Sequence, residues 1–309
     1  MSIFVERVIH AEKDRIWALT QTPDLHARWD LRFSSIRYLP RQRTTDPQSF
    51  EYETRLGFGL AIRGTGETAG EHRADDGTSS SSLVFGSADK LSLIRKGNGY
   101  WRYAPEIQGR TRFATAYDYA VRWGAFGWLL DRILFRPLMA WATAWSFDRL
   151  ARWATRGTAP ETSLRISLAY TIARLTLAAM WLYEGVVPKL FGPHPQELAM
   201  SARLVSAAWA GHLVVAMGIA EVALGLLLLL LWQRRWPLVL TAAAMVPALL
   251  VGAYAAPQLI AATFNMVVLS TMTAALALVA LALQPDVVSA SACQWRAYRK
   301  SPLTRLFGH

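Results

Sequence analysis

The sequence predicts two fold classes in one chain: an α+β domain of short strands closed by a long helix, then an all-α bundle of four transmembrane helices. Four apolar stretches in the second half, 164–187, 204–232, 236–256 and 259–283, carry the second prediction. At about 1.5 Å of rise per residue, each is long enough to cross a hydrocarbon core roughly 30 Å thick. The first 163 residues instead alternate apolar and charged positions and hold 18 of the 22 acidic residues. Alternation of period two, interrupted by Gly, Asp and Pro turns, is the pattern of half-buried strands in a water-facing domain.

Residues 2–10 alternate as a strand, and 11–21 follow as a short helix with Ile16, Trp17 and Thr20 on one face. Thr22-Pro23-Asp24 breaks that helix, because proline disfavours helix at the residue before it. Segments 33–39, 49–56, 60–71, 79–85, 90–94, 99–103 and 110–123 then read mostly as strands of one antiparallel meander, with Asp75-Asp76-Gly77 as a turn. From 124 to 155 the period becomes helical through Phe126, Leu129, Ile133, Leu138, Trp145 and Leu150, and Pro137 is expected to kink the run. On 110–123, Phe113, Thr115, Tyr117 and Tyr119 point one way and Arg112, Asp118 and Arg122 the other. With Trp141 of the long helix, the first set either lines a ligand cavity or fills the core.

Ala11-Glu12-Lys13-Asp14-Arg15-Ile16-Trp17-Ala18-Leu19, followed by Pro23-Asp24-Leu25-His26-Ala27-Arg28-Trp29-Asp30, resembles the opening of START-like, or polyketide-cyclase-like, helix-grip domains. Phe135-Arg136-Pro137-Leu138 leading to Trp141 resembles their last helix. The resemblance covers about residues 1–157 and implies a curved sheet gripping the long helix around a cavity for an apolar or aromatic ligand. It implies no reaction, and no nucleophile, base and orienter stand at a recognisable spacing. His10, His26 and His72 are isolated, and His26 beside Trp29 reads as a turn or surface histidine. Gly64-Thr65-Gly66 with Gly70 neither follows a strand nor opens a helix, so it does not read as a nucleotide loop. The long helix has a second reading: Trp128, Trp141, Trp145, Phe147 and Trp153 beside Arg132, Arg136, Arg149, Arg152 and Arg156 have the make-up of a basic amphipathic helix at a membrane surface.

Within the apolar stretches, charged side chains cost about 2.5–3.5 kcal/mol each on insertion scales, so they are expected to face partners. Arg174 and Glu221, both near mid-bilayer by residue count, are expected to form an ion pair. Nearer the outer side, Glu184, His212 and Asn265 lie at similar depths, with Trp181, Tyr183, Trp209 and Tyr254 around them. They form either a polar pocket suited to a quinone or another flat ring, or an aromatic belt with snorkelling ends. Trp181-Leu182-Tyr183-Glu184-Gly185-Val186-Val187-Pro188-Lys189-Leu190, Pro195-Gln196-Glu197 and Met217-Gly218-Ile219-Ala220-Glu221 are similar to DoxX-like membrane proteins, over roughly 164–285. That resemblance implies four helices, and some relatives serve as membrane subunits in quinone-linked redox chemistry. Cys293 is the only cysteine, which excludes an internal disulfide and a cysteine-based metal or cluster site, and argues against thiol-redox chemistry.

The net charge of +11 does not mark a nucleic-acid binder, because the second half's basic residues sit at the ends of the apolar stretches. Arg149, Arg152, Arg156 and Arg165 precede the first, Arg234 and Arg235 separate the second from the third, and Arg296, Arg299, Lys300 and Arg305 follow the fourth. The positive-inside rule then places a START-like domain (1–157), the 233–235 turn and a basic tail (286–309) on the cytoplasmic side of the cell membrane, around a membrane domain at 158–285. Residues 1–20 mix Glu6, Arg7, Glu12, Lys13 and Asp14 with their hydrophobics, so no secretory leader is expected. The expected function is binding or transfer of a lipophilic small molecule by a cytosolic cavity coupled to the bundle, with the lipid bilayer as partner and no metal. The alternatives are a quinone-linked membrane redox enzyme or subunit, and a START-like domain merely anchored by the bundle.

Overall fold

The computed structural model describes residues 2–43, 46–263 and 265–298. They divide into two compact units, one built from residues before 164 together with those after 287, the other from 164–287.

In the first unit, β1 (Ser2–Ile9) leads into α1 (Lys13–Gln21) and α2 (Pro23–Trp29). The meander follows as β2 (Ser35–Tyr38), β3 (Ser49–Gly57), β4 (Leu60–Arg73), β5 (Ser79–Gly86), β6 (Ile94–Glu106) and β7 (Arg110–Val121). Then come α3 (Gly124–Leu130), a π turn (Asp131–Phe135) and α4 (Arg136–Arg156), and a last strand, β8 (Gln294–Tyr298), returns after the membrane module. The sheet order is β2-β3-β4-β5-β6-β7-β1-β8, antiparallel throughout. Helix α4 lies across the inner face of this sheet, with Phe147 stacked on Phe113 at 4.5 Å between ring centroids. Trp29, Tyr103, Ile3, Ile9 and Leu150 are buried around that pair. This is the α+β helix-grip arrangement.

The structure departs from the sequence reading at several places in this unit. Segments 90–94 and 99–103 are not two strands: β6 runs without a break through Gly97 and Gly99. The expected tail at 286–309 is, over its described part, a piece of the first unit, since β8 pairs with β1 from Ser2↔Tyr298 to Glu6↔Gln294. Val288, Ala290 and Cys293 are buried in the same core as Phe147, and Asp148 accepts from Ser289 N (2.7 Å) and pairs with Arg7 (2.5 Å). Arg299, Lys300 and Arg305 lie outside the described residues. The amphipathic reading of the long helix fails in its second half, because Trp145 and Phe147 point into the core, while the exposed apolar side chains come earlier, at Phe126, Trp128, Ile133 and Leu134. Pro137 produces an interruption: the turn before it widens, with Arg136 N donating to Asp131 O, which relieves the clash between a proline ring and the carbonyl four residues back.

The second unit is built on α5 (Pro160–Gly185), extended by a π turn (Val186–Leu190), α6 (Pro195–Ser201), α7 (Ala207–Leu230), α8 (Trp236–Ala255) and α9 (Met266–Leu283). All but α6 are long and apolar enough to cross a membrane. Their exposed Leu, Val and Ile side chains are the surface a bilayer covers. α5 and α7 approach closely because small residues face each other: a Cβ on Gly218 would lie 3.0 Å from Gly185 O, and one on Gly225 3.1 Å from Ala178 O. The fourth span begins at Met266 because Asn265 caps it, its Oδ1 accepting from Val268 N at 2.9 Å.

Candidate functional site

The inner face of the first unit's sheet is shaped by glycines. Gly64 and Gly66 on β4, and Gly97 and Gly99 on β6, recur at spacing two and so fall on one face. Aromatic rings lie over three of them: an added Cβ would stand 2.2 Å from the Tyr52 ring at Gly64, 2.3 Å from Phe50 at Gly66 and 2.6 Å from Phe85 at Gly97. Glycine weakens a strand and is kept where a ring or ligand comes close to the backbone. These rings and Phe33 are only half-buried, so they form an aromatic surface that faces inward yet is not closed over.

Of the expected cavity residues, Phe113 and Thr115 are committed to the core, the first stacked on Phe147 and the second donating to Tyr100 O at 3.0 Å. Tyr117 and Tyr119 mark the border of the aromatic face. Thr143 Oγ1 gives its proton to Met139 O, so Tyr117 OH donates to Thr143 (2.8 Å). Tyr119 OH donates to Asp131 Oδ1 at 2.7 Å, while Arg136 holds the other Asp131 oxygen at 2.8 Å. Burial, then the Asp131 carboxylate, pushes the Tyr119 phenol well above its ordinary range. Trp141 is exposed on the helix surface and does not join the inner face.

A polar group stands beside these rings that the sequence reading missed. His26 is not a surface residue: its ring packs 5.0 Å from Trp29, 5.2 Å from Phe33 and 4.8 Å from Trp101. Asp30, buried next to it, accepts from His26 Nε2 (3.1 Å), from Arg32 N (3.1 Å) and, as a fork, from Arg32 Nε (2.9 Å) and Nη2 (2.6 Å). Burial alone would raise the Asp30 carboxyl, but the Arg32 charge and these bonds hold it below the carboxylate range. Burial lowers the His26 imidazole. Asp30 is therefore ionised and His26 neutral near pH 7, with the proton on Nε2. The Arg32 guanidinium lies 5.6 Å from the Phe33 ring centroid and 5.4 Å from that of Tyr117, within cation–π range.

In the membrane module the expected Arg174–Glu221 pair does not form. The Arg174 guanidinium is buried and donates to Leu228 O (2.7 Å), Leu231 O (2.7 Å) and Tyr170 OH (2.6 Å). The carbonyls that end α7 have no intrahelical donors and carry the negative end of the helix dipole, and Arg174 of a neighbouring span satisfies them. Glu221 pairs instead with Lys189 Nζ at 3.0 Å, and Lys189 also reaches Glu197 at 3.6 Å and Glu184 O at 3.3 Å. The expected pocket of Glu184, His212 and Asn265 is likewise not assembled. Asn265 is a helix cap, Glu184 has an exposed side chain, and His212, 5.3 Å from the Trp209 ring, lines a cleft of about 510 Å³ with Pro193, Ala207, Ala208, Gly211 and Val215.

The model of the DoxX-like family matches residues 178–279. An uncharacterized membrane protein of Bacillus subtilis (strain 168), YndG, is 40% identical over 235 residues, 76% of this chain and 79% of that protein. The chain belongs to one family with YndG, and its residues 178–279 are DoxX-like. The 235 aligned residues exceed the length of the membrane module, so the likeness to YndG extends into the first unit. Among solved structures, TTHA0849 of Thermus thermophilus covers 52% of this chain and 100% of its own, at 18% identity and a TM-score of 0.38. The Zhui aromatase/cyclase of Streptomyces sp. R1128 covers 52% and 98%, at 12% identity and 0.37. Human StAR-related lipid transfer protein 5 covers 50% and 76%, at 15% identity and 0.38. Lys189, Glu197 and Glu221 all fall inside the family match, and Arg174 falls before it.

Proposed function

We propose that this membrane protein binds, and passes to or from the bilayer, a lipophilic small molecule held on the inner face of the first unit. The observation that carries the reading is the glycine-floored layer of half-buried rings, Phe33, Phe50, Tyr52 and Phe85, which ends at the Arg32, His26 and Tyr117 polar groups. Flat apolar surface suits a ring or chain, and the polar end suits a carbonyl or hydroxyl head. The cytoplasmic side of the cell membrane is the proposed location, on the strength of Arg234 and Arg235 between α7 and α8. Pairing of β8 with β1 supports an even number of crossings, since both flanks of the membrane module must emerge on one side to share a sheet. Native mass spectrometry with lipid extraction on the full chain tests the proposal. A discrete ligand is expected with the wild type and not with Met139→Trp, a change at a half-buried position of α4. A ligand retained by a folded Met139→Trp protein rejects the inner face as its site.

A second reading rests on the cleft at His212. Its open apolar walls, with one imidazole on them, suit a quinone ring, and quinol-dependent turnover that survives His212→Ala removes this histidine from any such reaction.

A further inference from the structure

We propose that one end of the first unit's sheet docks on the bilayer surface through anionic lipid headgroups. The antiparallel registers gather three segments at that end: the turn between β3 and β4, the link 87–93 between β5 and β6, and the junction of β7 with α3. Ser87 Oγ donates to Arg63 O at 2.5 Å, Arg122 N donates to Leu93 O at 2.8 Å, and the Arg122 guanidinium donates to Ser87 O.

Large apolar side chains project from each segment without protein over them: Leu56, Phe58 and Leu60 from the first, Leu91 from the second, Trp123 and Phe126 from the third. Phe58 and Trp123 stand in left-handed backbone, at φ 51° and 65°. Turn positions of that kind favour Gly, Asn or Asp, so two bulky aromatics there break the local preference, as happens where a side chain has work outside the fold. Scattered exposed hydrophobics need no explanation, whereas several gathered on adjoining segments at one end of a domain mark a contact surface.

The charge beside this cluster identifies the contact. A cleft of about 580 Å³ is lined by Lys90, Arg95, Val121, Arg122, Trp123 and Gly124, three cations and no acid. Arg122 gives one guanidinium nitrogen to Ser87 O and leaves Nε buried without a hydrogen-bond partner. Basic side chains interleaved with exposed Trp, Phe and Leu suit the boundary between anionic headgroups and acyl chains. A bilayer is also the one partner this chain always has at hand, because four of its helices are built to cross one. The inference stands independently of the lipophilic ligand proposed for the inner face.

The test uses the full chain in nanodiscs of phosphatidylcholine with and without phosphatidylglycerol, in a Cys293→Ala background. Spin labels go on Phe58→Cys and Phe126→Cys. With phosphatidylglycerol, both labels are expected to be relaxed by oxygen in the acyl region and protected from a water-soluble nickel complex, and without it to be open to the nickel complex. The pair Lys90→Gln and Arg95→Gln should lower the docked-to-undocked ratio by about 25-fold, from roughly fivefold per cation. Nickel access at 58 and 126 that stays high in both kinds of nanodisc overturns the proposal. Protection from both reagents overturns it in favour of a protein partner, and docking indifferent to phosphatidylglycerol overturns the headgroup assignment.

Discussion

Two double-mutant cycles distinguish the charge pairing in the structure from the one the sequence suggests. Lys189 Nζ lies 3.0 Å from Glu221, and the two side chains are 7% and 19% exposed. Removing one partner of a fully buried pair costs about 3–5 kcal/mol, mostly because the other charge is stranded. Glu221 is not fully closed off and Lys189 keeps Glu197 at 3.6 Å, so a coupling of about 1–3 kcal/mol is expected between Lys189→Met and Glu221→Gln. Arg174→Leu, in contrast, takes donors from Leu228 O, Leu231 O and Tyr170 OH and should cost about 2–4 kcal/mol whatever stands at 221. Its effect should add to that of Glu221→Gln within about 0.5 kcal/mol. Arg174→Lys should recover little, because a point charge cannot reach two carbonyls as a planar fork does. Equilibrium unfolding of the full chain in mixed micelles gives the four free energies of each cycle. A coupling above about 1 kcal/mol between 174 and 221, or none between 189 and 221, would refute this account of the bundle.

Removing residues 288–309 should destabilise the first unit by several kcal/mol, because β1 loses its outer partner and the core loses Val288, Ala290 and Cys293; protease resistance of the N-terminal unit reads this out, and an unchanged cleavage rate would contradict it. Acid should unfold the same unit in two stages. The lowered His26 makes the unfolded state bind a proton first, so stability falls as pH drops below about 6.5, and the stability held by the depressed Asp30 is intact above about 3.9 and lost below it. His26→Gln should flatten the first stage and Asp30→Asn the second, in denaturation followed against pH. Gly64→Val should cost about 1–3 kcal/mol or more, since its Cβ meets not only the Tyr52 ring but Gly86 O at 2.5 Å, and backbone cannot swing aside; a thermal melt within a degree of wild type would show that the ring moves freely.

What was legible in the sequence depended on whether the signal was local. The four spans follow from apolar length alone, and their ends moved by a few residues where a cap decided the start, as Asn265 does for α9. The alternation of Phe113, Tyr117 and Tyr119 gave the inner face of β7 correctly, yet not which of these side chains the core would claim, because Phe147 comes from a helix more than thirty residues away. His26 looks isolated in sequence and is enclosed only because Phe33, Trp101 and Trp29 converge from three elements. Arg174 was misassigned because its partners are backbone carbonyls, which a search for opposite side-chain charge cannot find. The paired glycines at 64 and 66, and at 97 and 99, did carry a readable signal: spacing two on a strand puts both on one face.

The return of β8 changes what the membrane module is to this chain. Arg7 and Cys293 are 286 residues apart and touch at 3.9 Å, and Asp148 binds Arg7 on one side and Ser289 on the other. The DoxX-like bundle is therefore an insertion within the first unit's fold, between α4 and β8, and not a piece appended to it. A simple anchor would need one crossing at either end of a finished domain. Here β1, the first strand made, waits for a partner that emerges only after four spans have been synthesised, a closure of very high sequence separation. Such a connection makes completion of the soluble sheet conditional on an even number of crossings. A bundle that could be exchanged for any single span would break that condition, which weighs against anchorage as its whole role.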